Sequence, residues 1–178
     1  MNIVYLSPYS LDGNYGAEIN KMMHFLNHDD WAVLTDSDAM FLTPYHGSLI
    51  AKIIANNPDA GIITCKSNRV GKDHGQRYNG VISDNPDMRH WRNVAIDLAH
   101  KHCDSVTTLD KWVTGVCMIF SKKTWSECPF EEYGILNVDK MFCRKVMESG
   151  RSILLAEGLF ILHYYRLLEG RNNITHLV

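Results

Sequence analysis

Two aspartates with one residue between them, Asp36 and Asp38, close a short apolar run, Trp31 to Thr35. In an extended chain residues i and i+2 point the same way, so both carboxylates face one ligand. Paired carboxylates repel and lose hydration, at a cost on the order of several kcal/mol unless a cation or proton relieves them. A hard divalent cation, Mg²⁺ or Mn²⁺, answers that cost and brings a phosphate with it. The alternative is a solvated acidic turn. Far along the chain a second apolar run, Leu159 to Leu162, ends in His163-Tyr164-Tyr165-Arg166. A strand-end histidine followed by an arginine supplies a metal ligand and a phosphate contact. The third feature is Asn137-Val138-Asp139 at the start of a helical pattern. Asp139 there either answers the helix dipole or serves as a general base at the mouth of a cleft.

Those residues need elements to hold them. Asn2 to Ser7 reads as a buried first strand ended by Pro8, and Trp31 to Thr35 as a second. Between them Ile19, Met22, Met23 and Leu26 mark one face of a helix over Gly16–Leu26. A helix over Gly47–Ala55 and a strand over Ala60–Cys65 follow, then a polar, aperiodic loop from Lys66 to Asn85. Met88, Trp91, Ala95, Leu98, Ala99 and His102 trace another helix. Trp112 to Phe120 reads as a strand interrupted at Gly115, a sign of close backbone approach or a bulge. A helix over Asn137–Glu148 and strands at Ser152–Ala156 and Leu159–Leu162 complete the pattern. Strands alternating with helices predict a single α/β domain over residues 1–178, with a mostly parallel sheet flanked by helices. Ligands bind such sheets beyond the carboxyl ends of the strands.

Composition limits the partners. The chain has 178 residues, 46% hydrophobic and 21% charged, with a net charge of −2, so bulk charge does not suit it to nucleic acid. Any phosphate must be held locally. No apolar stretch reaches the roughly 20 residues of a membrane span, and Met1 to Ser7 lacks the basic start of a signal peptide. The five cysteines form no CxxC pair and read as free thiols in a reducing cytosol, so the expected location is cytoplasmic.

Taken in order, these pieces resemble the GT-A-fold glycosyltransferases, in particular the family 2-like group, of which this chain looks like a short member. The matching segments are VLTDSDAMF (33–41), WVTGVCMIFSKKTW (112–125), VDKMFCRKVMESGRSILL (138–155) and ILHYY (161–165). The resemblance implies a GT-A, Rossmann-like layered fold. It also implies transfer of a sugar from a nucleotide-diphosphate sugar to a hydroxyl of a glycan, a lipid-linked sugar or a protein. Asp38 and His163 would then hold Mn²⁺ or Mg²⁺, Asp36 would reach the metal or the ribose, and Asp139 would be the base of an inverting displacement. Family members place about twice as many residues between the first strand and the Asp-x-Asp, so base recognition here falls to Tyr9, Asp12, Asn14 and Asn20. Where the family carries a Glu-Asp pair, this chain has Val138-Asp139.

The donor site so assembled takes in Tyr9, Asp12, Asn20, Asp36, Lys66, Arg69, Gly115 and Arg166. The loop from Lys66 to Asn85 is expected to be a mobile lid closing over the donor phosphates. Trp91, Trp112, Tyr164 and Tyr165 are either sugar-stacking rings or core. Two other readings compete. One is a haloacid-dehalogenase-like phosphatase, whose nucleophile is also a strand-end Asp-x-Asp. The other is a nucleotide- or sugar-binding domain without turnover.

Overall fold

Alternate residues of the central strands divide between two cores. Ala32 and Leu34 of β2 (Trp31–Thr35) join Met118 and Phe120 of β6 (Cys117–Ser121) on one face, while Trp31, Val33, Cys117 and Ile119 serve the other. Strands apolar at every position must be covered on both sides, and helices cover both. On the first face lie α1 (Tyr15–His24), α4 (Lys122–Glu127) and α5 (Val138–Glu148). On the second lie α2 (His46–Asn56) and the end of α3 (Met88–His102), whose other buried residues, Trp91, Val94 and Ala95, pack on Phe160 and Leu162. The computed structural model describes residues 1–71, 75–132, 134 and 136–164.

The sheet contains β1 (Ile3–Leu6), β2, β3 (Ala39–Phe41), β4 (Ile62–Ser67), β5 (Val106–Leu109), β6 and β7 (Ile153–His163). Its order is β1-β2-β6-β4-β7-β3, with β5 also on β7. The expected mostly parallel sheet is corrected to a mixed one. Only β1–β2 and β4–β7 pair in parallel, whereas β2–β6, β4–β6, β3–β7 and β5–β7 are antiparallel. Alternation of strand and helix gave no warning of this, because β6 inserts in reverse between β2 and β4, and two short strands run back along β7.

The two expected C-terminal strands are one. β7 runs unbroken for 11 residues, long enough for β5 to pair with its first half and β3 with its second. The apparent break between them is a register shift: Cys65 pairs with Ala156 but Lys66 with Phe160, which leaves Glu157 to Leu159 bulged. Gly158 sits in that bulge because a Cβ there would come within 2.5 Å of the His102 carbonyl oxygen at the end of α3. Gly158→Ala is therefore expected to cost about 1–3 kcal/mol through forced backbone movement, read as a lower melting temperature.

Caps set several helix starts. The Asn14 side chain accepts from Ala17 N–H, Asp87 from Arg89 N–H, and Ser121, the last residue of β6, from Thr124 N–H. Trp112 to Val116, read as the start of a strand, is a loop feeding β6. The five cysteines are free thiols, as expected. Among the described residues no helix is long and apolar enough to cross a membrane.

Candidate metal centre

β2 delivers Asp36 just past its last residue, and the chain turns through Ser37 and Asp38 straight into β3. Ala39 N–H donates to the Asp36 carbonyl at 3.2 Å and closes the turn. β3 then pairs antiparallel with the end of β7, with Ala39 opposite His163, and Tyr164 N–H donates to the Asp38 carbonyl at 2.8 Å. That pairing brings the late histidine to the early carboxylates. His163 Nε2 lies 3.3 Å from Asp38 Oδ1 and 3.7 Å from Asp36 Oδ2, and one ligand atom from each residue falls within 4.8 Å of the others. Two carboxylate oxygens and one imidazole nitrogen form a donor set that could hold a metal ion.

The electrostatics of the three groups are those of a site short of positive charge. Burial pushes the Asp36 carboxyl above its ordinary pKa; His163 opposes this, while Asp38 and Asp139 add to it. Asp38 is held low by its hydrogen bond with His163, which outweighs burial. Burial pulls His163 down, but the bond to Asp38, the Arg69 carbonyl and the two aspartate charges together raise it. Without a cation, a protonated His163 would offset part of the pair's charge.

The three residues open onto a cavity of about 790 Å³. Asp139 forms part of its wall from the first turn of α5. Its Oδ2 accepts from Gly115 N–H at 2.9 Å and its Oδ1 from Lys140 N–H at 2.7 Å. Burial raises its pKa against these two backbone bonds. The close approach read at Gly115 is to this side chain: a Cβ on Gly115 would lie 3.4 Å from Asp139 Cβ. Tyr9 and Trp112 also line the cavity, and Lys140 holds its ammonium 5.7 Å from the Trp112 ring centre. Tyr15, which sequence reasoning passed over, lines it as well. Burial, Asp36 and Asp139 push its phenol up to about 12. Only its place at the start of α1, just after the Asn14 cap, hinted at it.

Of the residues read from sequence, Tyr9, Asp36, Asp38, Trp112, Gly115, Asp139 and His163 meet at this cavity. Others lie elsewhere. Asp12 accepts from Ser10 and from Asn14 N–H in the loop before α1, and Asn14 caps α1 while donating to the Glu132 carbonyl. Lys66 bonds the Gly75 carbonyl and pairs with Glu157. Arg69 is buried and bonds Asp84 and the Ser83 carbonyl. Trp91 is core, stacked on Phe160, and the Tyr164 hydroxyl meets the Met88 sulfur. Tyr165 and Arg166 lie outside the described residues.

Asn20 is a buried strut. It accepts from Trp125 Nε1 and Phe130 N–H and donates to the Phe130 carbonyl and Glu132, and it does not itself line the cavity. Asn20→Ala should lower stability by about 1–3 kcal/mol for each buried partner left bare, while nucleotide affinity holds. Calorimetric melting and nucleotide titration of the same variant check both halves.

The described part of the segment expected to form a lid is tied to the sheet at both ends. β4 continues through Ser67, which bridges to Arg77, and Arg77 bonds the Val70 and Gly71 carbonyls. Buried Gln76 ties Thr64 to Thr114. Of the polar residues that read as a surface loop, Ser67, Gln76 and Arg77 take part in these internal bonds. Comparison with protein-family models and with curated proteins finds no match for the chain.

Proposed function

We propose that the protein is a metal-dependent glycosyltransferase that moves a sugar from a nucleotide-diphosphate sugar to a hydroxyl acceptor. The observation that carries this reading is the convergence of Asp36, Asp38 and His163 within 4.8 Å at a cavity that also holds Asp139. The described residues lining that cavity include no Lys or Arg. Among those described lining residues a diphosphate finds no cationic side chain, and Asp38, His163 and Asp36 would hold the Mn²⁺ or Mg²⁺ that neutralises it and the leaving group. The sequence resemblance supports the same reading, since these residues are the ones its ordered motifs single out.

The chain's own groups then divide the work. Tyr9 and Trp112 offer ring faces for a base or a sugar. Asp139, fixed by two backbone N–H groups, accepts the proton of the acceptor hydroxyl as its oxygen bonds the anomeric carbon and the bond to the diphosphate breaks. The displacement inverts the anomeric centre.

The deciding experiment is a thermal-shift panel of nucleoside diphosphates with and without Mn²⁺, followed by product analysis with the stabilising nucleotide's sugars. Binding raises stability by RT ln(1 + [L]/Kd), about 2.7 kcal/mol at a hundredfold excess over Kd. Stabilisation by one nucleotide that EDTA abolishes, with sugar transfer, is the expected result. Release of inorganic phosphate from simple phosphomonoesters would favour the phosphatase instead.

A further inference from the structure

Where β4 stops, a side chain takes over its work. The last residue pair of the β4–β7 ladder is Ser67 with Ile161, two residues short of His163. Beyond it, the fully buried Asn68 turns its side-chain amide to the main chain of His163. His163 N–H donates to Asn68 Oδ1 at 2.8 Å, and Asn68 Nδ2 donates back to the His163 carbonyl at 3.1 Å. The carboxamide thus satisfies both the N–H and the C=O of His163 on the side where β4 has ended. On the other side of β7, Tyr164 N–H is held by the Asp38 carbonyl. The next residue after Asn68 finishes the arrangement: His163 Nδ1 lies 2.7 Å from the Arg69 carbonyl oxygen. A carbonyl only accepts, so Nδ1 carries the proton and Nε2 turns toward the carboxylates.

We propose that Asn68 is a positioning residue for the metal centre, holding the His163 backbone so that the Arg69 carbonyl selects the Nδ1–H tautomer and presents Nε2 as the ligand atom. The inference rests on the metal site proposed above. Groups that orient a metal-ligating histidine typically govern affinity by 10–100-fold. Only an amide serves here. An aspartate would still accept from His163 N–H but has nothing to donate to its carbonyl, and alanine does neither.

The test titrates Mn²⁺ calorimetrically into wild type, Asn68→Ala, Asn68→Asp and Gln76→Ala. Gln76 is the control, being equally buried and also bonded through both amide groups, but to Thr114 and Thr64. Both Asn68 variants are expected to lose about 10–100-fold in affinity, and Gln76→Ala less than about threefold despite a comparable drop in melting temperature. Equal losses in all three, or none in the Asn68 variants, overturn the proposal. The ¹⁵N spectrum of the His163 ring gives a second readout that general destabilisation does not move. Wild type must show a proton on Nδ1 both with and without saturating Mg²⁺, with Nε2 unprotonated in the Mg²⁺-bound protein, and Asn68→Ala must show tautomer mixing. A wild-type ring without the Nδ1 proton overturns the assignment even if neither variant folds. If wild type binds no Mn²⁺, the metal-dependent function fails, while the metal-free ring spectrum still decides the role of Asn68.

Discussion

Asp38→Ala protein is expected to fold, melt close to wild type and no longer bind nucleoside diphosphate in a Mn²⁺-dependent way. The Asp38 side chain is 41% exposed, and its one charged partner is His163. Losing a half-exposed pair of this kind costs about 0–1 kcal/mol of stability. The same carboxylate is one of three ligand atoms in the cluster. Its loss should weaken cation affinity by more than the roughly 10–100-fold that outer-shell changes cause. A second consequence follows for its neighbour: without Asp38, one of the charges that raises Asp36 is gone, so the Asp36 pKa should fall. Titrating Mn²⁺ and nucleotide against wild type and variant measures the first effect, and carboxyl NMR the second. Unchanged Mn²⁺ affinity would remove Asp38 from the metal site.

Asp139→Asn should separate catalysis from stability. A general base lost from the chemical step lowers kcat by roughly 10²–10⁴, with donor affinity nearly unchanged because the amide keeps the shape. The melting temperature should change little, because two opposing effects meet. Burial raises the Asp139 pKa in the folded protein, so the protonated form is the better folded one. Its stabilising contribution is complete below the unfolded pKa of about 3.9 and is lost as pH rises through the folded value. At neutral pH the wild-type carboxylate is a burden on the fold that a neutral amide removes, while the amide's NH2 leaves one of the two backbone donors, Gly115 N–H or Lys140 N–H, without an acceptor. The acid limb of the kcat profile should lie above the ordinary aspartate range, since the base works only when ionised, and it should vanish in the variant. A residue that merely joined α5 to the Gly115 loop would lose neither turnover nor that limb. Normal turnover in Asp139→Asn would exclude it from the mechanism.

Much of this site could be read before any fold was known, and the reasons are local. Trp31 to Thr35 is apolar at nearly every position and short, which marks a strand covered on both faces, and β2 has those bounds. The helix traced from Met88 to His102 has the observed bounds too, because its periodic apolar residues span four turns and Asp87 caps it. Of the strands of three or four residues, β1 was legible as an apolar run before Pro8, but β3 and β5 gave no comparable signal. β3 and β5 owe their existence to the long edge of β7, and neither segment is periodic enough to declare itself. Asn20 misled for a related reason. A polar residue on a helix invites a ligand, but only the packing of Trp125 and Phe130 reveals that its amide is already satisfied.

The covalent chain alone determined that two carboxylates stand one residue apart at a strand end, that Asp139 opens a helix, and that His163 closes an apolar run. These follow from backbone periodicity, which acts over a few residues and needs no partner. Tertiary structure decided that they meet. Strand direction, the insertion of β6 between β2 and β4, and the pairing of β3 with the end of β7 depend on contacts between distant segments, whose loop-closure entropy is repaid only when the whole sheet assembles. The same holds for Asn68 and the His163 backbone, whose mutual bonds exist only because β4 ends where β7 does not.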